Sequence, residues 1–249
     1  MKSRGKKEIS KAEDFQKPRA KKRLLKKRLL KKRLLKKRTV KTAIVLRAVS
    51  KEKIKRDILR KMRIDFKPGN MLYPVPVVMV SCSDGKRSDI VTVAWTGTIC
   101  TNPPMLYISL RPSRYSYDII KKSGEFVINL TNERLIKTAD ECGVKSGRDI
   151  DKWKVMKIEQ LPSKVVAAPS VKESPVCIEC KVENILELGS HHMFIAKVVA
   201  VNVDSKYMDV KNKFDLTKAD MVVYNHGEYI GLSKVLGTFG YSVKKKKTR

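Results

Sequence analysis

The sequence has few acidic and aromatic residues for its length. It contains 25 Asp and Glu against 56 Lys and Arg, and aromatic residues make up only 6% of the 249 positions. It has no apolar run near the roughly 20 residues that span a bilayer, and no basic segment followed by the apolar core of a secretory signal. Five cysteines, an odd number, are scattered along it. We therefore expect a cytoplasmic protein with reduced thiols and no membrane span.

Several sequence motifs that identify common enzyme classes are also missing. No GxGxxG follows a predicted strand and no GxxxxGK[ST] occurs, which excludes a Rossmann dinucleotide site and a P-loop. No convincing pair of carboxylates or Ser/His/Asp set suggests acid–base or nucleophilic catalysis. A bound phosphate would have to be held by some other arrangement.

The positive charge is concentrated at the two ends of the chain. The net charge is +31, and residues 1–61 alone carry 27 Lys and Arg against 5 Asp and Glu. Between positions 62 and 243 the net charge is only about +4. The sequence therefore predicts three segments: a basic extension over 1–61, a mildly basic domain over 62–240, and a basic tail over 241–249.

The extension contains the repeat KKRLLKKRLLKKRLLKKR, from Lys21 to Arg38. On a helix, a five-residue period turns by about 140° at each repeat, so the leucines point in all directions and form no apolar stripe. Dense like charge opposes compaction, so we expect a largely disordered segment that becomes helical when polyanions neutralise it. The alternative is a tail that binds nucleic acid or acidic lipid non-specifically, without base stacking because aromatic residues do not interleave the basic ones. The segment could also precede an internal start at Met62.

From Tyr73 onward, apolar residues alternate with a period of two. The pattern predicts strands over YPVPVVMVSC, IVTVAWTGTIC, PPMLYISLRP and EFVINL, and a long hairpin turning at Gly189-Ser190. Short helices are predicted at SRYSYDIIKKSG, with Ser113 as N-cap, and at TNERLIKTADECG. The predicted class is mainly β, an antiparallel barrel with short helices.

The strand TVAWTGTIC and the helix after it suggest a ligand site. Thr92, Thr96 and Thr98 place hydroxyl groups beside small residues, and Gly97 suggests a bulge or a close approach to the backbone. The segment from Arg111 to Ser116 then brings basic and hydroxyl side chains to a helix N-terminus, where free N–H groups favour an anion. This order of residues fits a ligand with a flat polar ring and a phosphate tail.

Several motifs follow one another in order within about residues 66–232: TVAWTGTICTNPP, the basic turn with SGEFVIN, ADECGVKSGRDIDKW, LGSHHMFIAKV and VVYNHGEYIGL. Together they resemble the flavin reductase-like proteins with an FMN-binding split barrel, in particular the flavoredoxin branch. The resemblance implies a Greek-key split β-barrel that dimerises with FMN near the subunit interface. It places the flavin ring against Thr92, Val93, Ala94 and Trp95, and the ribityl phosphate against Thr98, Cys100, Thr101, Asn102, Arg111, Ser113, Arg114 and Ser116. His191 falls on the family's hairpin histidine, near nicotinamide or substrate.

Three functions remain open from the sequence. The resemblance implies an FMN-dependent oxidoreductase that takes electrons from NAD(P)H or a protein donor. The same fold could serve as an FMN electron carrier without its own substrate, passing electrons to a redox partner. The basic extension allows a third possibility, a nucleic-acid-binding protein that retains a barrel domain.

The cysteines and the paired histidines allow weaker predictions. Cys177 and Cys180 match CxxC, but residues three apart on a strand face opposite sides, so they should neither share a metal nor form a disulfide. We predict no metal site. Cys142 is a candidate free thiol, although a buried anchor is the favoured interpretation. His191 and His192 should face opposite sides, so only one can enter a site.

Overall fold

The computed structural model describes residues 5–244, and their side chains from Arg23 onward apart from Leu24 and Lys61. The chain divides into two compact units, residues 1–70 and residues 71–249. The first unit carries one helix, and the second carries all the strands. Most of the predicted basic tail, from Lys245 to Arg249, lies outside the described residues.

The first unit is dominated by helix α1, Gly5–Lys61. The sequence predicts a disordered segment here, whereas the structure describes a helix. Lys, Arg, Leu and Ala, which dominate its composition, are good helix formers. Every described side chain of α1 is exposed. The intrinsic helix propensity of these residues therefore accounts for α1. Among its described side chains, no apolar face is buried against another element to stabilise it. Within the described residues, no helix is long and apolar enough to cross a membrane.

The described part of the second unit, residues 71–244, contains twelve strands and three α-helices. The strands are β1 Val75–Pro76, β2 Val78–Ser83, β3 Ser88–Val93, β4 Thr96–Cys100, β5 Met105–Leu110, β6 Glu125–Leu130, β7 Gln160–Leu161, β8 Ser170–Val171, β9 Val176–Leu188, β10 His191–Val203, β11 Val222–Asn225 and β12 Glu228–Gly231. The helices are α2 Tyr115–Ser123, α3 Ile136–Val144 and α4 Lys152–Val155.

Seven strands form one antiparallel sheet in the order β3-β2-β6-β9-β10-β5-β4. Its long central hairpin, β9–β10, turns at Gly189-Ser190 as predicted, with Gly189 at a positive φ of 41°. A smaller sheet of order β1-β11-β12 carries the C-terminal hairpin. The predicted mainly β class with short helices is confirmed.

The predicted single strand IVTVAWTGTIC is wrong, because the chain bends at Ala94 and Trp95. Before the bend β3 pairs with β2, and after it β4 pairs with β5 at the opposite end of the sheet order. The Ser109 N–H donates to the Trp95 carbonyl at 2.8 Å, which fixes the bend against β5. A Cβ at Gly97 would lie 3.0 Å from the Tyr107 ring, so the close approach predicted at this glycine is confirmed.

Two main clusters of buried side chains lie on opposite faces of the strands. The first packs α2 against the sheet and includes Val80, Phe126, Phe194, Ile119 and Ile120, each fully buried. The second packs α3 and α4 against the other face and includes Met79, Ile90, Ala139 and Trp153. Alternate residues of β2 thus serve different clusters, as a period of two requires. Trp153 is 6% exposed and anchors the second cluster.

The cysteine prediction for the central hairpin is confirmed. Cys180 packs in the first cluster, whereas Cys177 packs with Val127 and Ala168 in a third cluster on the other face. All five cysteines are free. Cys142 is fully buried in α3, not in a loop, and burial raises the pKa of its thiol to about 12. A thiol that stays protonated is a poor nucleophile, so Cys142 is a core anchor.

A buried ion pair joins β3 to the helices of the second cluster. Lys152 of α4 and Asp89 of β3 are 3% and 2% exposed, and Lys152 Nζ lies 3.4 Å from Asp89 Oδ1. The ammonium also donates to the carbonyls of Ile90 at 2.6 Å and Cys142 at 3.1 Å. The Asp89 carboxylate also accepts a hydrogen bond from the Ser116 hydroxyl in the first turn of α2. One pair therefore connects β3, α2, α3 and α4.

We expect Lys152→Met to lower the free energy of unfolding by about 3–5 kcal/mol, because it leaves the Asp89 carboxylate buried without its partner. Urea denaturation followed by circular dichroism measures the loss. The matched control is Lys154→Met on the same helix, where the side chain is 86% exposed and pairs only with Asp151. An exposed pair contributes at most about 1 kcal/mol, so similar losses in the two variants would refute the importance of the buried pair.

Candidate functional site

Two neighbouring clefts in the second unit share Arg111 and Arg114. The first has a volume of about 340 Å³ and is lined mainly by the start of α2 and by residues 145–148. The second, of about 450 Å³, is lined by the bend after β3, the end of β5 and His191. The two clefts adjoin at these arginines, and the first is the more basic.

The first cleft concentrates positive charge on short, well-anchored segments. Arg111, Arg114, Lys145 and Arg148 line it and are exposed. Arg114 Nη1 donates to the Gly143 carbonyl at 2.9 Å, and Arg148 Nη1 donates to the Ser113 carbonyl at 2.8 Å. These bonds tie the start of α2 to the last turn of α3 and to the segment after it. Each guanidinium retains further N–H donors for an anion.

Backbone N–H groups add to the positive potential of the first cleft. Among the described residues, no acceptor partners the N–H groups of Tyr115 and Ser116 in the first turn of α2, or those of Ser146 and Gly147. All four residues line the first cleft. The first turn of a helix carries partial positive charge, so the cleft combines charged side chains with unpaired donors. This is the chemistry of a phosphate site.

The predicted cap of α2 is wrong. Arg114, not Ser113, is the N-cap residue, and no side-chain hydrogen bond caps the helix. The absence of a side-chain cap is what leaves the first-turn N–H groups free. At the other end Gly124 adopts a positive φ of 70° and its N–H bonds to the Ile120 carbonyl at 2.9 Å, as predicted for a glycine that ends a helix.

Gly147 is required by packing behind the first cleft. A Cβ at this position would collide with the Asp89 carboxylate and the Tyr115 ring. Tyr115 lies between two guanidinium groups, Arg87 at 5.8 Å and Arg148 at 5.7 Å from the ring centroid. The segment 145–148 therefore lies directly against the buried Asp89–Lys152 pair, which supports its position.

The second cleft is more open than the first and is lined by more apolar side chains. The bend residues Ala94 and Trp95 line it together with Val93, Leu110 and Tyr224. Tyr224 belongs to an aromatic group in which Tyr73 lies 6.1 Å from Trp95 and 6.2 Å from Tyr224, centroid to centroid. Within the described residues, the N–H groups of Ala94 and Trp95 have no acceptor. The cleft thus offers aromatic surface with two backbone donors at its edge.

His191 lies in the second cleft, and His192 does not line it. The Nδ1 of His191 is 2.9 Å from the Ser190 hydroxyl, whereas the Nδ1 of His192 is 2.8 Å from the Tyr117 hydroxyl. The prediction that only one of the two enters a site is confirmed. Partial burial and the nearby charges of Arg111 and Arg114 lower the pKa of His191 below its ordinary value of 6.5. Its imidazole is therefore neutral at pH 7 and above.

The structure brings together most of the residues predicted for the site. Nine of them line the two clefts: Thr92, Val93, Ala94, Trp95, Arg111, Ser113, Arg114, Ser116 and His191. The other four, Thr98, Cys100, Thr101 and Asn102, lie on β4 and the turn after it and line neither cleft. Their predicted contact with a cofactor stays a prediction.

Two hydroxyl groups that the sequence predicted to contact a ligand form hydrogen bonds within the protein. Thr92 donates to the Ala139 carbonyl of α3, and Ser116 donates to Asp89. The segment Lys145–Arg148, Lys152 and Tyr224 were missed as site residues. The family motif ADECGVKSGRDIDKW contains both Lys145–Arg148 and Lys152, and it is the sequence signal that points to them. No group of three potential metal-ligating residues occurs in the described part of the chain.

Comparison with known proteins agrees with this architecture. The family model described as flavin reductase like domain matches residues 70–233, which excludes α1. Flavoredoxin of Desulfovibrio vulgaris (Miyazaki F) has a TM-score of 0.68 at 29% identity, covering 73% of this chain and all of its own. Flavoredoxin from Methanosarcina acetivorans has a TM-score of 0.66 at 25% identity with the same coverage. A Pyrococcus abyssi protein is 32% identical over 130 residues, 52% of this chain and 74% of its own. The chain therefore belongs to the flavin reductase-like family, and residues 70–233 have its split-barrel fold.

Proposed function

We propose that the split-barrel domain binds FMN and acts as an oxidoreductase that passes electrons through it. The observation that carries this proposal is that a basic cleft and a cleft lined by aromatic residues adjoin, with Arg111 and Arg114 lining both. Their volumes lie in the range of small-molecule sites. A ligand with a phosphate at one end and a planar polar ring at the other matches both.

The phosphate of FMN fits the first cleft. Arg114 and Arg148 are held by carbonyl oxygens and keep donors free, and Lys145 adds a third positive charge. The unpaired N–H groups of Tyr115, Ser116, Ser146 and Gly147 complete the donor set. A dianion in this cleft would offset the mutual repulsion of these side chains.

The flavin ring fits the second cleft. Trp95 and Tyr224 provide aromatic surface, and the N–H groups of Ala94 and Trp95 are placed to donate to polar atoms at the ring edge. FMN, when bound, supplies hydride and single-electron transfer. The residues of the chain orient the ring, exclude water from one side of it and set the charge around it. No side chain is assigned as a general acid or base.

The relatives support a redox role. Two structural neighbours are flavoredoxins, and a flavin reductase of Pseudomonas putida is 24% identical over 136 residues. For the electron donor we propose NAD(P)H, with His191 on the donor side of the ring. A neutral imidazole there adds no charge repulsion to a nicotinamide. The second candidate, an FMN electron carrier served by a partner protein, is favoured by the flavoredoxin likeness.

We also propose that the protein forms a homodimer with FMN near the interface. The turn residues Thr101 and Asn102, and Thr98 before them, are exposed and lie outside the clefts of their own chain. An interface over this turn would give these residues the cofactor contact expected of them. Sedimentation of the FMN-loaded protein measures its oligomeric state directly.

We expect Arg148→Ala to weaken FMN binding by about 10- to 100-fold, because a hydrogen bond to a charged group contributes about 1.5–3 kcal/mol. Quenching of free FMN fluorescence on titration with protein measures the affinity. Riboflavin, which lacks the phosphate, should bind the variant and the unaltered protein about equally. The control Arg134→Ala removes an exposed arginine outside both clefts and should leave FMN affinity unchanged.

An equal loss for FMN and riboflavin would show that Arg148 only supports the fold of the cleft through Tyr115 and Ser113. Failure of the unaltered protein to bind either flavin would end the FMN proposal.

We expect anaerobic NADH or NADPH to remove the visible flavin absorbance of the FMN-loaded protein. His191→Asn should slow this reduction by roughly tenfold, equivalent to about 1.4 kcal/mol, without loss of FMN. It should also remove the part of the pH dependence below 6.5 that protonation of the His191 imidazole causes. Stopped-flow absorbance across pH 5–8 provides both readouts.

The control His226→Asn changes an exposed histidine that lines neither cleft. Reduction by dithionite but by neither nicotinamide would favour the electron-carrier function instead.

A further inference from the structure

Helix α1 carries a line of positive charge that the flavin site does not use. Ten of the 16 residues from Arg23 to Arg38 are Lys or Arg. At a rise of about 1.5 Å per residue this is one charge per roughly 2.4 Å of helix axis. Double-stranded DNA carries one negative charge per about 1.7 Å. The two line charges are opposite in sign and similar in density.

These charges have no partners within the helix. No acidic residue occurs between Asp14 and Glu52, and no described side chain of α1 forms a salt bridge. Like charges three or four residues apart each destabilise a helix by about 0.2–0.5 kcal/mol. A polyanion alongside α1 would remove this repulsion and release its own counterions, and both effects favour association.

The helix does not fit an anionic membrane surface. Leu25, Leu30 and Leu35 are each at least half exposed and successively rotated by about 140°, so they define no apolar face. A helix that lies in a membrane interface buries one apolar face in the lipid. A charge distribution around the whole helix fits a partner that is recognised through phosphates alone.

The composition of α1 also favours duplex over single-stranded nucleic acid as its partner. No aromatic residue occurs between positions 16 and 61. Binding to single strands typically gains about 1–3 kcal/mol per base from stacking on aromatic side chains, and residues 16–61 cannot supply it. We propose that α1 binds double-stranded nucleic acid through its phosphates, without sequence preference.

The test uses the full chain and a labelled DNA duplex of about 25 base pairs, which matches the length of α1 at about 85 Å. Fluorescence anisotropy over a range of salt concentrations gives the slope of log K against log salt. The key variant replaces Lys31, Lys32, Arg33, Lys36, Lys37 and Arg38 with Gln. About half of these side chains can face a duplex at once, so the slope should become shallower by about 3. All described α1 side chains are exposed, so no core is disturbed.

Two matched variants distinguish charge from other causes. Replacing Lys31, Lys32, Lys36 and Lys37 with Arg keeps the charge and should keep the slope. Replacing Leu29, Leu30, Leu34 and Leu35 with Gln removes apolar surface and should keep duplex binding. An unchanged slope in the six-Gln variant would overturn the proposal, because binding would then come from elsewhere. So would binding only to phosphatidylserine-containing vesicles, lost in the leucine variant, or a preference for single-stranded DNA.

Discussion

The geometry of the candidate site depends on the buried pair between Asp89 and Lys152. An isolated charge at either position would be strongly unfavourable, so each side chain fixes the other. The ammonium satisfies carbonyls of β3 and α3, while the carboxylate receives the Ser116 hydroxyl at the start of α2. The start of α2 and residues 145–148, which face each other across the basic cleft, are therefore both positioned by this buried pair. Gly147 makes this possible, because any larger residue would displace the carboxylate.

This arrangement explains how a domain of low net charge maintains a strongly basic cleft. Residues 62–243 carry only about +4, yet four cationic side chains line the first cleft. Asp89, a carboxylate that lines this cleft, is paired with Lys152 and accepts a hydrogen bond from Ser116, so its charge is offset locally. The exposed guanidinium groups are anchored through neutral carbonyl oxygens rather than through acids. Their charge consequently remains available to an anion.

The sequence predicted the elements of the split barrel better than it predicted which atoms face the ligand. Period-two alternation, the Gly189-Ser190 turn and the opposite faces of Cys177 and Cys180 follow from strand geometry alone, and all were correct. The bend at Ala94 was missed because Thr96 and Thr98 continue the strand-like alternation, and only the pairing of β4 with β5 reveals the break. The hydroxyl of Thr92 looked available because its partner, the Ala139 carbonyl, lies 47 residues away in sequence. Residues 145–148 were missed for the same reason: only the tertiary fold brings them to α2.

The shared arginines also couple the two clefts electrostatically. Arg111 and Arg114 line both and contribute, after partial burial, to the lowered pKa of His191. An anion bound in the first cleft would neutralise part of their field, so the pKa of His191 would rise toward its ordinary value. By linkage, protonation of His191 would favour that anion, and a neutral His191 would disfavour it by the same amount. The histidine and the phosphate end of the site therefore form one electrostatic unit, although different strands and helices supply them.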